Sequence, residues 1–141
     1  RRPAPVGMDP GPATALGAGD KGGRLVGGAS LPGPQLSLAA LVRNTAQLPQ
    51  VEIEAAPKAL LGANTSDCLH SGIVNGTAAM LDGMIARFRR AMDAPEAPVI
   101  ATGTLPASIR DACGCSIAYR ETLILDGLCA IWQRNAHRPR G

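Results

Sequence analysis

Between Gly62 and Met92 the chain reads GANTSDCLHSGIVNGTAAMLDGMIARFRRAM, and no other stretch restricts the fold as strongly. Leu69, Ile73, Met80, Leu81, Met84, Ile85 and Phe88 recur at intervals of three and four, which predicts one long helix with an apolar stripe. Arg87, Arg89 and Arg90 load its last turns, where the helix macrodipole favours cations. A second stripe holds Gly72, Gly76, Ala79 and Gly83. Each glycine inside a helix costs roughly 1 kcal/mol relative to alanine, so three on one face require a close approach of another backbone. That backbone is either the chain's own sheet or a second copy of the helix, and the stripe predicts a homodimer through Gly72, Gly76 and Gly83.

The flanks supply strands. Val6 to Met8, Ala13 to Leu16 and Arg24 to Val26 are short apolar pieces, and Asp20-Lys21-Gly22-Gly23 is a hairpin connection, so a small antiparallel sheet is expected. After Pro32-Gly33, the residues Leu36, Leu38, Ala39, Leu41, Val42 and Ala46 have helical spacing, with Ser37 near the start and an end by Leu48-Pro49. Val51 to Ile53 reads as a further short strand, and Pro98 to Ala101 as a buried strand that delivers a loop. A final helix is expected from about Glu121 to Asn135, with Leu123, Leu125, Leu128, Ile131 and Trp132 as its buried face and Trp132 and Phe88 in the core. Strands, helix, helix, strand, helix is the order of an α/β sheet covered by helices.

Composition narrows the class. With 45% apolar residues, 141 residues suit one compact domain, taken as 5–135, with a flexible tail at 1–4 and a basic tail at 136–141. Fourteen Lys and Arg against eleven Asp and Glu give +3, too little for binding to nucleic acid by counterion release. The excess sits in Arg1, Arg2, Arg134, Arg138 and Arg140; solvated tails are favoured over nucleic-acid arms. No apolar run approaches the roughly 18 residues of a membrane span, so a cytoplasmic protein with no membrane partner is expected. Cys68, Cys113, Cys115 and Cys129 lack paired zinc-ligand spacing and are expected as reduced thiols. His70 and His137 have no partner at ligand spacing and are read as surface or helix-packing residues.

Several blocks stand in a recognisable order: GGASLPGPQLSLAALVRNTAQLP, LGANTSDCLHSGIVNGTAAMLDGMIARF, VIATGTLPASI and LILDGLCAIWQRN. Together they resemble the carboxy-terminal half of type III pantothenate kinase over about residues 5–135. The resemblance implies a ribonuclease-H-like, actin-like ATPase half-domain with a mixed sheet covered by helices, within the superfamily of acetate and sugar kinases, heat-shock chaperones and actin. It implies ATP-dependent phosphorylation of pantothenate, the first step of coenzyme A synthesis, by a dimer that needs potassium or ammonium, with magnesium a further candidate. The family's Asp-x-Gly-Thr-Ala motif stands here as Asp9-Pro10-Gly11-Pro12-Ala13, which makes Asp9 the implied cation ligand and puts Gly11 and Pro12 at the nucleotide. Gly103 and Thr104 take the place of a Thr-Gly-Gly loop near ATP, and Thr65 that of a threonine reaching pantothenate. No catalytic residue is carried over, because the family's Asp-x-Gly-Asn-Thr loop and Gly-x-Asp-Arg segment have no counterpart in these residues. A fragment or degenerate relative, inactive alone, is the expected function; the alternative is a non-catalytic dimerisation or regulatory module resembling kinase-like transcription accessory proteins.

Each site also has an ordinary reading. Proline gives no N–H and no hydroxyl to a phosphate, so residues 9–13 could be a plain Pro/Gly turn, with Thr14 as a substitute hydroxyl. Thr65 could cap the long helix, whose N-terminus would equally favour a carboxylate. Thr104 could cap a following helix.

Overall fold

The computed structural model describes residues 4–44 and 51–136. Three strands come first: β1 (Val6–Asp9), β2 (Ala13–Gly19) and β3 (Leu25–Pro32). They pair antiparallel through the expected turn, where the Asp20 Oδ1 accepts from the N–H of Gly22 (2.8 Å) and Arg24 (2.9 Å), and Gly23 takes φ +82°. Helix α1 (Pro34–Asn44) follows, then α2 (Thr65–Ala91), β4 (Val99–Ala101), α3 (Ala107–Ala112), β5 (Ile117–Tyr119) and α4 (Leu123–Ala136). The five strands form one mixed sheet in the order β3-β2-β1-β4-β5, with β4 parallel to both β1 and β5. This is the α/β architecture with a mixed sheet flanked by helices.

Alternation sorts the strands into two faces. Val6, Met8, Leu16, Ala18, Val99 and Ala101 are buried, and α2 lays Val74, Ala78, Leu81 and Ile85 beside them. Ile109 of α3 completes that core, and Phe88 packs against both of its clusters, as its spacing predicted. The opposite face is paved with small residues: Gly28, Gly17 and Gly7 lie side by side in register, continuing to Ile100 and Ala118.

The structure corrects several expectations. Val51 to Ile53 is irregular rather than a strand, leading into a turn at Ile53; Ile53 is buried and its carbonyl accepts from the Ser108 Oγ, which ties this segment to α3. Helix α1 begins at Pro34, whose fixed φ suits the first helical position, so Ser37 lies a turn inside. The expected continuation through Ala46 to Pro49 lies outside the described residues, as do residues 1–3 and 137–141, with His137. Helix α3 and strand β5 went unpredicted. Six and three residues carry too little periodicity to read, and β5 is positioned from outside: the Asp82 carboxylate on α2 accepts from the N–H of Gly114 (2.7 Å) and Cys115 (3.1 Å) at its entrance.

Helix α4 buries none of its residues, so Leu123, Leu125, Leu128, Ile131 and Trp132 are exposed and Trp132 is not a core residue. Its periodicity marked an apolar face but said nothing of what covers it. The chain's own sheet does not pack on the glycine stripe either. Among the described residues, a Cβ added to Gly72, Gly76 or Gly83 would meet nothing within 4 Å. No helix among the described residues is long and apolar enough to cross a membrane.

Candidate functional site

Strands β1 and β4 run parallel and end side by side, so the loops that leave them meet at one edge of the sheet, where α/β proteins bind ligands. The ladder continues past β4 with Thr102 N–H donating to Met8 O (3.0 Å), and Thr104 N–H then donates to Pro10 O (3.3 Å). Gly103 between them takes φ +80°, a left-handed conformation that favours glycine. A side chain there would also collide, since a Cβ would lie 2.6 Å from Pro10 O and 2.7 Å from Asp9 Oδ1. A carbonyl and a carboxylate oxygen thus converge beside Gly103, and the carbonyl already accepts from the Thr104 N–H. Asp9 itself is exposed.

A cavity of about 420 Å³ opens beside these loops, lined among others by Gly11, Pro12, Gln35, Glu54, Thr104 and Pro106. The β1–β2 turn is locked against the start of α1, with Gly33 N–H donating to Pro12 O (3.0 Å) and no room for a side chain at Gly33. Asp9, Gly11, Pro12, Gly103 and Thr104 therefore come together, although they are drawn from two segments about ninety residues apart in the chain. The lining contains no lysine or arginine, and Pro10 and Pro12 provide no N–H. Such walls suit the apolar part of a nucleotide; its phosphate charge needs a cation or groups from elsewhere. Gln35 and Glu54 were missed by sequence reasoning. Glu54 lies in an irregular segment, and only its place in the fold makes it part of the lining.

Thr14 cannot substitute for the missing hydroxyl. It is 1% exposed, on the core face of β2, turned away from the turn that precedes it. Thr104 does not cap α3, which starts after Pro106 without a side-chain cap.

Thr65 does not line this cavity. It is the first residue of α2, and the cap is Asn64, whose Oδ1 accepts from the Asp67 N–H (2.9 Å) while its Nδ2 donates to the Asp67 carboxylate (2.8 Å). The Thr65 side chain is exposed, so the capping job that competed with a ligand role belongs to its neighbour. Helix α2 is further fastened to the preceding segment by Ser71 Oγ donating to Leu60 O (2.6 Å) and by His70 Nε2 at 2.9 Å from Ala55 O. Along its open side a cavity of about 540 Å³ is lined by Leu60, Leu61, Ser71, Gly72, Asn75 and Gly76, among others.

The four cysteines are free, and among the described residues no cluster of three His, Cys, Asp or Glu could hold a metal. Burial, with the Asp82 carboxylate nearby, pushes the Cys113 thiol up to about 11 and Cys115 to about 12. Both are protonated, unreactive thiols at neutral pH.

Comparison with known proteins adds independent support. The sequence pattern of the family described as type III pantothenate kinase matches residues 2–87. The type III pantothenate kinase of Thermus thermophilus is 41% identical over 99% of this chain and 54% of its own length. That of Rubrobacter xylanophilus is 38% identical over 94% of the chain and 52% of its own length. The chain thus spans about half the length of these curated relatives. Among solved structures, a conserved Baf family protein from Campylobacter jejuni superimposes with a TM-score of 0.66 at 19% identity, covering 96% of this chain and 60% of that one, a likeness of fold.

Proposed function

The chain belongs to the type III pantothenate kinase family, and from that premise we propose that it forms one half of a kinase which transfers the γ-phosphoryl of ATP to the primary hydroxyl of pantothenate. The observation that carries this reading is the convergence of the loops after β1 and β4 on one cavity. Gly11, Pro12 and Thr104 of its lining face the nucleotide with Gly103 next to them, and beside the cavity Asp9 with the Pro10 carbonyl holds a monovalent cation that offsets phosphate charge. Thr65, free of capping duty at the N-terminus of α2, offers its hydroxyl to pantothenate, whose carboxylate is favoured by the helix dipole.

Phosphoryl transfer depends mainly on positioning and on charge stabilisation around the transferred group. Pro12 gives neither a hydroxyl nor an N–H to that task, and the cavity lining has no cationic side chain. The loss of one preorganised donor typically costs about 10²–10³ in rate. The chain alone is therefore inactive, and the remaining phosphate-binding and proton-accepting groups come from the other half of the family fold. The open glycine stripe of α2, flanked by the exposed Leu60 and Leu61, supports a homodimer in which two copies of α2 approach closely.

ADP release coupled to pantothenate addition in potassium buffer tests the reading. The expected results are no turnover by the chain alone and turnover when the other half is supplied as a separate polypeptide from a relative. Pantothenate-dependent turnover by the unmodified chain would show that the catalytic groups have been misplaced.

A further inference from the structure

The loop that carries Gly103 and Thr104 is held from beneath by a residue that no motif singled out. Strand β5 pairs in parallel register with β4, which sets Tyr119 beside Ala101, and Arg120 N–H extends the ladder by donating to Ala101 O (2.8 Å). From that position the half-buried Tyr119 ring packs against the core. Its hydroxyl donates to Gly103 O and accepts from the Leu105 N–H (3.2 Å). One phenol thus ties the backbone on both sides of Thr104, the loop residue that lines the cavity.

We propose that Tyr119 is a positioning residue for the nucleotide half-site: its hydroxyl fixes the loop 103–105 so that Thr104 faces the bound nucleotide. This rests on the nucleotide reading given above. Three facts make the clamp consequential. Gly103 occupies a left-handed conformation, so the loop has no preference of its own for returning to this shape. Leu105 is buried, and its N–H bonds to the phenol at a half-buried position, so removal of the hydroxyl takes away a partner and opens the amide to exchange. The remaining tether on the cavity side is a single long hydrogen bond, Thr104 N–H to Pro10 O at 3.3 Å. A loop that must order itself on binding gives up affinity that a pre-ordered one keeps.

The test follows two signals in the full chain: amide hydrogen exchange at Leu105, and calorimetric titration with magnesium ATP in potassium buffer. Tyr119→Phe removes only the hydroxyl. The expected result is exchange at Leu105 faster by about tenfold, unchanged exchange along α2, and ATP affinity weaker by about tenfold. Thr104→Ala should weaken ATP similarly, and the double variant should bind no worse than the weaker single one, because both changes remove the same contact. Should Tyr119→Phe fail to fold, Gly103→Ala disturbs the same loop from the side of Pro10 and should also lose ATP affinity; wild-type affinity in it would overturn the proposal. Unchanged exchange at Leu105 overturns the clamp itself. Equal ATP affinity of Tyr119→Phe and wild type, or additive losses in the double variant, overturns its link to Thr104. Faster exchange with no ATP binding by any protein, the wild type included, sinks the nucleotide reading and this role with it, while the clamp stands as a structural feature.

Discussion

Helices α2 and α4 look alike in sequence and differ completely in environment. Each shows apolar residues at helical spacing. Yet α2 buries Ile73, Val74, Ala78, Leu81 and Ile85, whereas α4 leaves Ile124, Leu125, Leu128, Ile131 and Trp132 exposed. Periodicity tells which face of a helix wants cover; it does not tell whether the cover belongs to the same stretch of chain. Helix α2 lies on the sheet because β1 and β4 present Val6, Met8, Val99 and Ala101 to it, while no described element lies on α4. The chain spans about half the length of the curated relatives it matches.

The sharpest way to break this comparison is to truncate one apolar residue from each helix. Leu81→Ala, at a fully buried position, should cost about 2–5 kcal/mol by urea unfolding, while Leu128→Ala should stay within about 0.5 kcal/mol. Equal losses would mean that α4 packs on the domain after all. The glycine stripe gives the next largest effect. A Cβ at Gly76 meets open space among the described residues, so Gly76→Ala should raise the stability of the monomer by up to roughly 1 kcal/mol, while the bulkier Gly76→Leu should shift a sedimenting dimer toward monomer. Sedimentation of the wild type as a monomer at high micromolar concentration would remove the dimer. Gly62→Ala should act in the opposite sense, since a Cβ there would lie 2.3 Å from the Cys68 N.

The start of α2 gives an effect of similar size. Asn64→Ala should cost about 0.5–2 kcal/mol as a lost cap, and Thr65→Val only a few tenths, with pantothenate binding in the reconstituted enzyme lost in the latter and kept in Thr65→Ser. If Thr65→Val destabilises as much as Asn64→Ala, the cap has been assigned to the wrong residue. The last effect is confined to alkaline pH. Because Cys113 and Cys115 are raised from 9.0 to about 11 and about 12, the unfolded chain releases their protons at lower pH than the folded one. Stability should therefore be independent of these thiols below pH 9 and fall as pH rises from 9 toward 12. Replacement of both by alanine should flatten that fall.

Much of this was legible in the residues. The strands β1 to β3 with the Asp20–Gly23 turn, the extent of α2 and the strand β4 were marked in the residues, although β2 and β3 run on to Gly19 and Pro32, past the expected Leu16 and Val26. The loops carrying Asp9 to Pro12 and Gly103 to Thr104 were placed by their order in a family pattern, and the parallel pairing of β1 with β4 brings them together. What stayed hidden depends on tertiary contact. Strand β5 is three residues long and anchored by Asp82, thirty-odd positions earlier in the chain. Glu54 and Tyr119 have no local signature and matter only through where the fold delivers them. The distinction between Asn64 and Thr65 as cap turns on one residue, below the resolution of any sequence pattern.

The central claim is that the loops after β1 and β4 form half of a nucleotide site, and titration with magnesium ATP followed amide by amide in NMR spectra tests it most directly. Saturable shifts concentrated at Gly11, Leu36, Gly103 and Thr104 are expected, with the amides of α4 unmoved. Shifts confined to α4 or to the glycine face of α2, or none at millimolar ATP, would contradict it.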